Sequence, residues 1–120
     1  MKKMKYQIIE EDEFLTINVS GKTRKNEAVL SNALLNPYLP NKGVKVILDL
    51  KELEKFDPMI LLGVLNSLKK KIDLLGGYLM VCSLKPEMKN CLRENRLEQI
   101  FNIFEDAEKA KKNLRSDYGK

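Results

Sequence analysis

Two short apolar runs bracket a helix-period segment in the middle of the chain, and this arrangement limits the possible folds more than any other feature. VKVILDL (44–50) is β-branched and nearly all apolar, as a central strand covered on both faces requires. YLMVCS (78–83) has the same character. Between them Leu61, Val64, Leu65, Leu68, Ile72 and Leu75 fall within a narrow arc at about 100° per residue, and Gly76-Gly77 supplies a helix stop. Two buried strands joined by a helical crossover lie parallel, so the chain is expected to form an α/β domain.

The flanks extend this unit. YQIIE (6–10) and FLTINVS (14–20) surround the polar turn EDE, and Leu15, Ile17 and Val19 alternate with polar residues. They predict a hairpin with one buried face, broken by Gly21. NEAVLSNALL (26–35) reads as a helix ended by Pro37 and Pro40. Pro86 suits the first turn of a short helix through Leu92, IFNIF (100–104) a last strand, and EDAEKAKKNL (105–114) a final helix with acids first and lysines last. The expected order is β-β-α-β-α-β-α-β-α: a mixed, mostly parallel sheet of about five strands with about four helices. The 120 residues are expected to form one domain, with a core over about 6–114.

Composition narrows the chemistry. There is no histidine, which removes Ser-His-Asp and Cys-His arrangements, imidazole zinc sites and the commonest general base near neutral pH. Cys82 and Cys91 form no CxxC pair, and Cys82 lies within YLMVC, so a reduced, buried thiol is expected. Asp49, Glu54 and Asp57 could be imagined as an acid/base set. No nucleophile, phosphate-binding loop or metal spacing accompanies them, so neither catalysis nor a metal or cofactor is expected.

MKKMKY is followed by QIIEEDEF rather than an apolar segment, and no run is long enough to span a bilayer. A cytoplasmic protein without membrane insertion is expected. The net charge of +5 is spread along the chain, and in KELEKFD and EDAEKAKK lysines alternate with acids as on solvated helix faces. With 7% aromatic residues and no Trp, no nucleic-acid surface is expected.

The spacing of Asp49-Leu50, Phe56-Asp57, Gly76-Gly77, Pro86-Glu87 and Ile100-Phe101 resembles the STAS domain family, the fold of bacterial anti-sigma-factor antagonists. The family pattern has a buried strand ending in D-L, a short polar linker, and D-S-x-G-L-G opening a helix. A G-G turn, a strand, a short helix beginning near S-P-E and a terminal helix follow. The resemblance implies that a partner kinase, itself an anti-sigma factor, phosphorylates the residue after the helix-opening aspartate. The roughly −1.5 to −2 charges added then break the complex. This chain has Pro58 at that position, which offers no hydroxyl, and Ile60 and Leu62 replace the glycines. The acidic residue that many relatives carry soon after the hairpin glycine is Arg24, in GKTR. The usual switch is therefore not expected to operate.

Asp57 is a strong N-cap and Pro58 is favoured at the first helical position. In the family this helix start is also the docking surface. With Leu61, Leu65, Leu68 and Ile72 facing the core, Met59, Leu62, Gly63 and Asn66 project from the other side, and Met59 and Leu62 form an exposed apolar pair. The expected partner surface is Asp57, Pro58, Met59, Leu62, Gly63 and Asn66, with Arg24. Of the other hydroxyls, Ser67 sits on the flank of the buried face, Thr23 and Ser20 are more accessible, and Ser83 is placed to cap the next helix. The resemblance implies a non-enzymatic module that binds an anti-sigma factor or related kinase-type protein. The alternatives within it are a subunit docking on an ABC transporter ATPase or signalling assembly, or a domain sensing a small molecule or nucleotide.

Overall fold

Strand β1 (Lys5–Glu10) folds back on β2 (Leu15–Lys22) as an antiparallel hairpin, with Ile8 opposite Ile17. In this computed structural model, residues 4–11, 14–23, 25, 33, 36–38 and 43–118 are described. The helix expected over 26–35 lies outside them apart from Ala33, and so does Arg24. A single 3-10 turn, Asn36–Tyr38, contains Pro37.

β2 pairs in parallel with β3 (Lys45–Lys55), β3 with β4 (Tyr78–Cys82), and β4 with β5 (Asn102–Phe104). Helix α1 (Pro58–Leu74) joins β3 to β4, and α2 (Pro86–Glu94) joins β4 to β5. Helix α3 (Ala107–Tyr118) closes the chain. The sheet order β1-β2-β3-β4-β5 is that of a mixed five-stranded α/β fold, and three α-helices stand among the described residues. α3 starts two residues later than its charge pattern predicts because the Asp106 carboxylate caps it, accepting the Lys109 N–H at 2.8 Å.

The two sheet faces are unequal. Ile17, Val19, Val46, Leu48, Leu79 and Val81 pack with the apolar side of α1 and with Met88 and Leu92 of α2 in the main core. The opposite face carries a smaller cluster in which Phe14, Ile47, Met80 and Cys82 meet Ala110 of α3. The Lys111 Nζ to Glu11 Oε1 ion pair, at 2.8 Å, ties α3 to the hairpin turn. Both cysteines are free thiols. Burial, reinforced by the nearby Asp49 charge, pushes the Cys82 thiol up to about 12, so it stays protonated and inert at neutral pH.

β3 is where the fold departs most from the sequence pattern. It runs on through KELEK, which reads as a solvated helix face, and β2 likewise continues through Gly21 instead of ending there. Between Asn18 and Ser20 on β2, β3 advances from Asp49 to Glu52, and between Gly21 and Lys22 it advances from Leu53 to Lys55. Each step places one extra residue in β3, the mark of a β-bulge. The first bulge reverses the inward alternation: Leu50 is 2% exposed and Leu53, three residues on, is 1% exposed. The Asp49 carboxylate accepts the Lys51 N–H at 3.0 Å, giving Asp49 a structural role in the irregular segment.

At the other end of α1, Leu75 caps the helix and Gly76 takes a left-handed φ of 68°. Gly77 is required for a different reason. A Cβ there would lie 2.3 Å from the Val44 carbonyl oxygen and 2.9 Å from Ile72 Cγ2. That carbonyl accepts the Tyr78 N–H at 2.8 Å, so the contact cannot relax without disturbing the parallel pair. Gly77→Ala is expected to destabilise the fold by about 2 kcal/mol in urea denaturation, as overpacking against fixed backbone does. A neutral result would show that the β3–β4 entry yields freely.

Candidate docking site at the start of helix α1

Three backbone segments meet where α1 begins. Lys55 ends β3, Phe56 is half-buried against the main core, and Asp57 takes an extended conformation with φ −88° and ψ 120°. Asp57 Oδ1 accepts the N–H groups of Met59 at 2.9 Å and Ile60 at 3.4 Å, while its carbonyl accepts the Leu61 N–H at 3.0 Å. Pro58, which lacks an N–H, occupies the first helical position at no hydrogen-bonding cost. Asp57 and Pro58 thus stand where the sequence puts them, as cap and first residue.

The end of β2 is fastened to the same point. The Thr23 N–H donates to the Lys55 carbonyl at 3.3 Å, and Thr23 Oγ1 accepts the Asp57 N–H at 3.1 Å. The Thr23 hydroxyl, expected to be among the more accessible, is therefore a joint between β2 and α1. Ser83 is not a helix cap either: its φ is 62°, and Lys85 holds the N-cap position of α2 without a side-chain bond. Ser67 is half-buried on the flank of α1, as its position in the arc predicts, and Ser20 is half-buried on β2.

The outer side of α1 is partly as expected. Met59 is 66% exposed, and Gly63 and Asn66 are also exposed. At 100° per residue these three lie within about 60° of one another, forming one narrow face. Leu62 does not join them: it is 7% exposed and belongs to the main core. It stands about 100° from Leu61, on the shoulder of a buried arc broad enough to meet both the sheet and α2. The expected exposed apolar pair is thus Met59 alone.

Beside this face lies an open groove of about 780 Å³. Lys22, Thr23, Lys25 and Lys55 line it from the strand ends, and Phe56, Pro58 and Ile60 supply apolar surface. The lysines have no signal in the sequence, since only the β2–β3 register brings Lys22 opposite Lys55, and Ile60 is marked there only as a replaced glycine of the family pattern. Among the described residues no group of three or more Cys, Asp or Glu could hold a metal ion, and no helix is long and apolar enough to cross a membrane. Asp49, Glu54 and Asp57 do not converge on one cavity: Asp49 lines a polar hollow with Asn18 and Glu52, while Asp57 lines the groove.

The STAS domain family model matches residues 5–110. The chain belongs to the STAS domain family. Solved structures share its fold. The anti-sigma factor antagonist SpoIIAA in its unphosphorylated form aligns with a TM-score of 0.74 at 13% identity, covering 93% of this chain and 97% of that one. The phosphorylated form of SpoIIAA, a cell fate determinant of Bacillus, aligns at 0.68 with 16% identity over 92% and 100% of the two chains. An anti-sigma factor antagonist from Mycobacterium paratuberculosis aligns at 0.71 with 14% identity over 93% and 94%. No curated protein matches the chain by sequence alone.

The Thr23 joint is open to a direct test. Thr23→Val keeps the shape of the side chain but removes the acceptor for the Asp57 N–H, and is expected to lower unfolding free energy by about 1 kcal/mol. Amide exchange at Asp57 should quicken in parallel. An unchanged exchange rate there would mean that the hydroxyl does not hold the helix start.

Proposed function

We propose that this STAS domain works by docking on another protein through the start of α1, in the manner of an anti-sigma-factor antagonist, without a phosphorylation switch at that site. The observation that carries the proposal is Met59, a large apolar side chain left 66% exposed where the Asp57 cap and the Thr23 hydroxyl hold the helix start. Methionine is flexible and polarizable and suits an adaptable contact. The cap and the Thr23 joint fix its backbone, so little ordering entropy is lost on binding.

Gly63 supports the same role. It sits in the interior of α1, where glycine costs roughly 0.5–1 kcal/mol relative to alanine. A Cβ there would meet nothing within 4 Å among the described residues, so their packing gives no reason for the missing side chain. A partner backbone approaching beside Met59 does give one. At the position after the capping aspartate, Pro58 offers no oxygen for a phosphoryl group. Binding would then be constitutive and set by the supply of partner.

A kinase-type anti-sigma factor is the partner class to test. Mixed with this protein and ATP, it is expected to form a complex and to place no phosphate on residues 58–67. Met59→Asp should weaken the complex at least tenfold, about 1.4 kcal/mol or more, with the melting temperature unchanged. Gly63→Ala should stabilise the free domain and weaken the complex. Phosphate on residues 58–67, or full affinity in Met59→Asp, would overturn the proposal.

A further inference from the structure

Three lysines and one carboxylate line the groove beside α1. Lys25 and Lys55 are exposed on its wall and Lys22 lines it from β2. Asp57 is the one carboxylate among its described lining residues, and that carboxylate is engaged by two N–H groups of the helix it caps. Lys51 and Glu52, from the same KELEK run as Lys55, line the polar hollow with Asn18 and Asp49 instead. The bulged end of β3 thus divides a run of alternating charge between two sites, with Lys55 going to the groove. The apolar surface of Phe56, Pro58 and Ile60 lies next to the lysines, and Met59, adjacent in sequence to the last two, is exposed outside the lining.

We infer that the partner segment seated in this groove is acidic, with at least one apolar residue packing on Met59 and Ile60. This rests on the docking role proposed above and specifies its partner. Opposite charge across the lysine wall speeds encounter and fixes orientation, and a basic segment would meet like charge at the same place. The occupant is assigned as protein because the site joins its lysines to apolar surface. A phosphate backbone would satisfy the lysines and leave Met59 and Ile60 facing water.

Three synthetic peptides with leucines at identical spacing, and Glu, Gln or Lys at all other positions, provide the test. Each is titrated into the full chain at low salt while backbone amide signals are followed, with a DNA duplex as a fourth probe. The Glu peptide is expected to shift the signals of Lys55–Gly63 and to bind at least tenfold more tightly than the Gln peptide. In the double variant Lys25→Glu, Lys55→Glu the Lys peptide should become the tightest of the three. Equal affinities for the three peptides, with shifts still centred on the α1 start, would overturn the acidic assignment and leave the docking role standing. No shift at the α1 start from any peptide would count against the docking role itself. Tighter binding of the duplex than of the Glu peptide at these residues would overturn the protein assignment.

Discussion

The parallel pairing of β2 with β3 is the constraint on which the rest of the molecule depends. Because β3 holds two more residues than the length of β2 it accompanies, the pair stays in register as far as Lys22 and Lys55. The first extra residue returns Leu53 to the core side, where burying a leucine contributes roughly 1.5–3 kcal/mol. The second leaves the chain at Phe56 and Asp57 close enough to β2 for Thr23 to accept the Asp57 N–H. The helix start, its cap and the groove beside it all follow from that placement. Removing one residue from the bulged segment would turn Leu53 toward water and draw Asp57 away from Thr23 together.

Much of this is legible in the sequence, for identifiable reasons. The central strands, α1 and the glycine stop are strong signals because burial on both faces leaves little but β-branched and aliphatic residues in β3 and β4. The Asp57-Pro58 start is visible because capping chemistry is local. KELEK is not legible as strand: its alternating charges are equally at home on a helix, and only pairing with β2 decides. Leu62 is misplaced by sequence because a helix that meets both a sheet and a neighbouring helix buries a wider arc than a periodicity argument assigns. The lysine groove is invisible for the deeper reason that Lys25 and Lys55 are thirty residues apart and are joined only through register.

The polar groups at the helix start are committed to structure, which suits the proposed docking role. The Asp57 carboxylate holds the first turn, and the Thr23 hydroxyl holds Asp57 itself. What remains outward is Met59, the bare backbone at Gly63, Asn66 and the lysine wall. The absence of histidine, which at first only excludes chemistry, suits a domain whose proposed work is recognition. The net charge of +5 also takes on a finer meaning, since part of it is gathered at the groove instead of being spread evenly.

Site-specific photo-crosslinking can distinguish docking through the start of α1 from docking elsewhere on the helix. Met59 and Leu74 are both exposed apolar residues of the same helix, 66% and 87% exposed, at its opposite ends. A photoreactive residue placed at one or the other position in the full chain reports which end meets the partner in a purified complex with a kinase-type anti-sigma factor. A partner adduct is expected from position 59, formed equally with and without ATP, and none from position 74. An adduct from position 74 alone, or one at position 59 that disappears when ATP is added, would contradict the proposed constitutive docking.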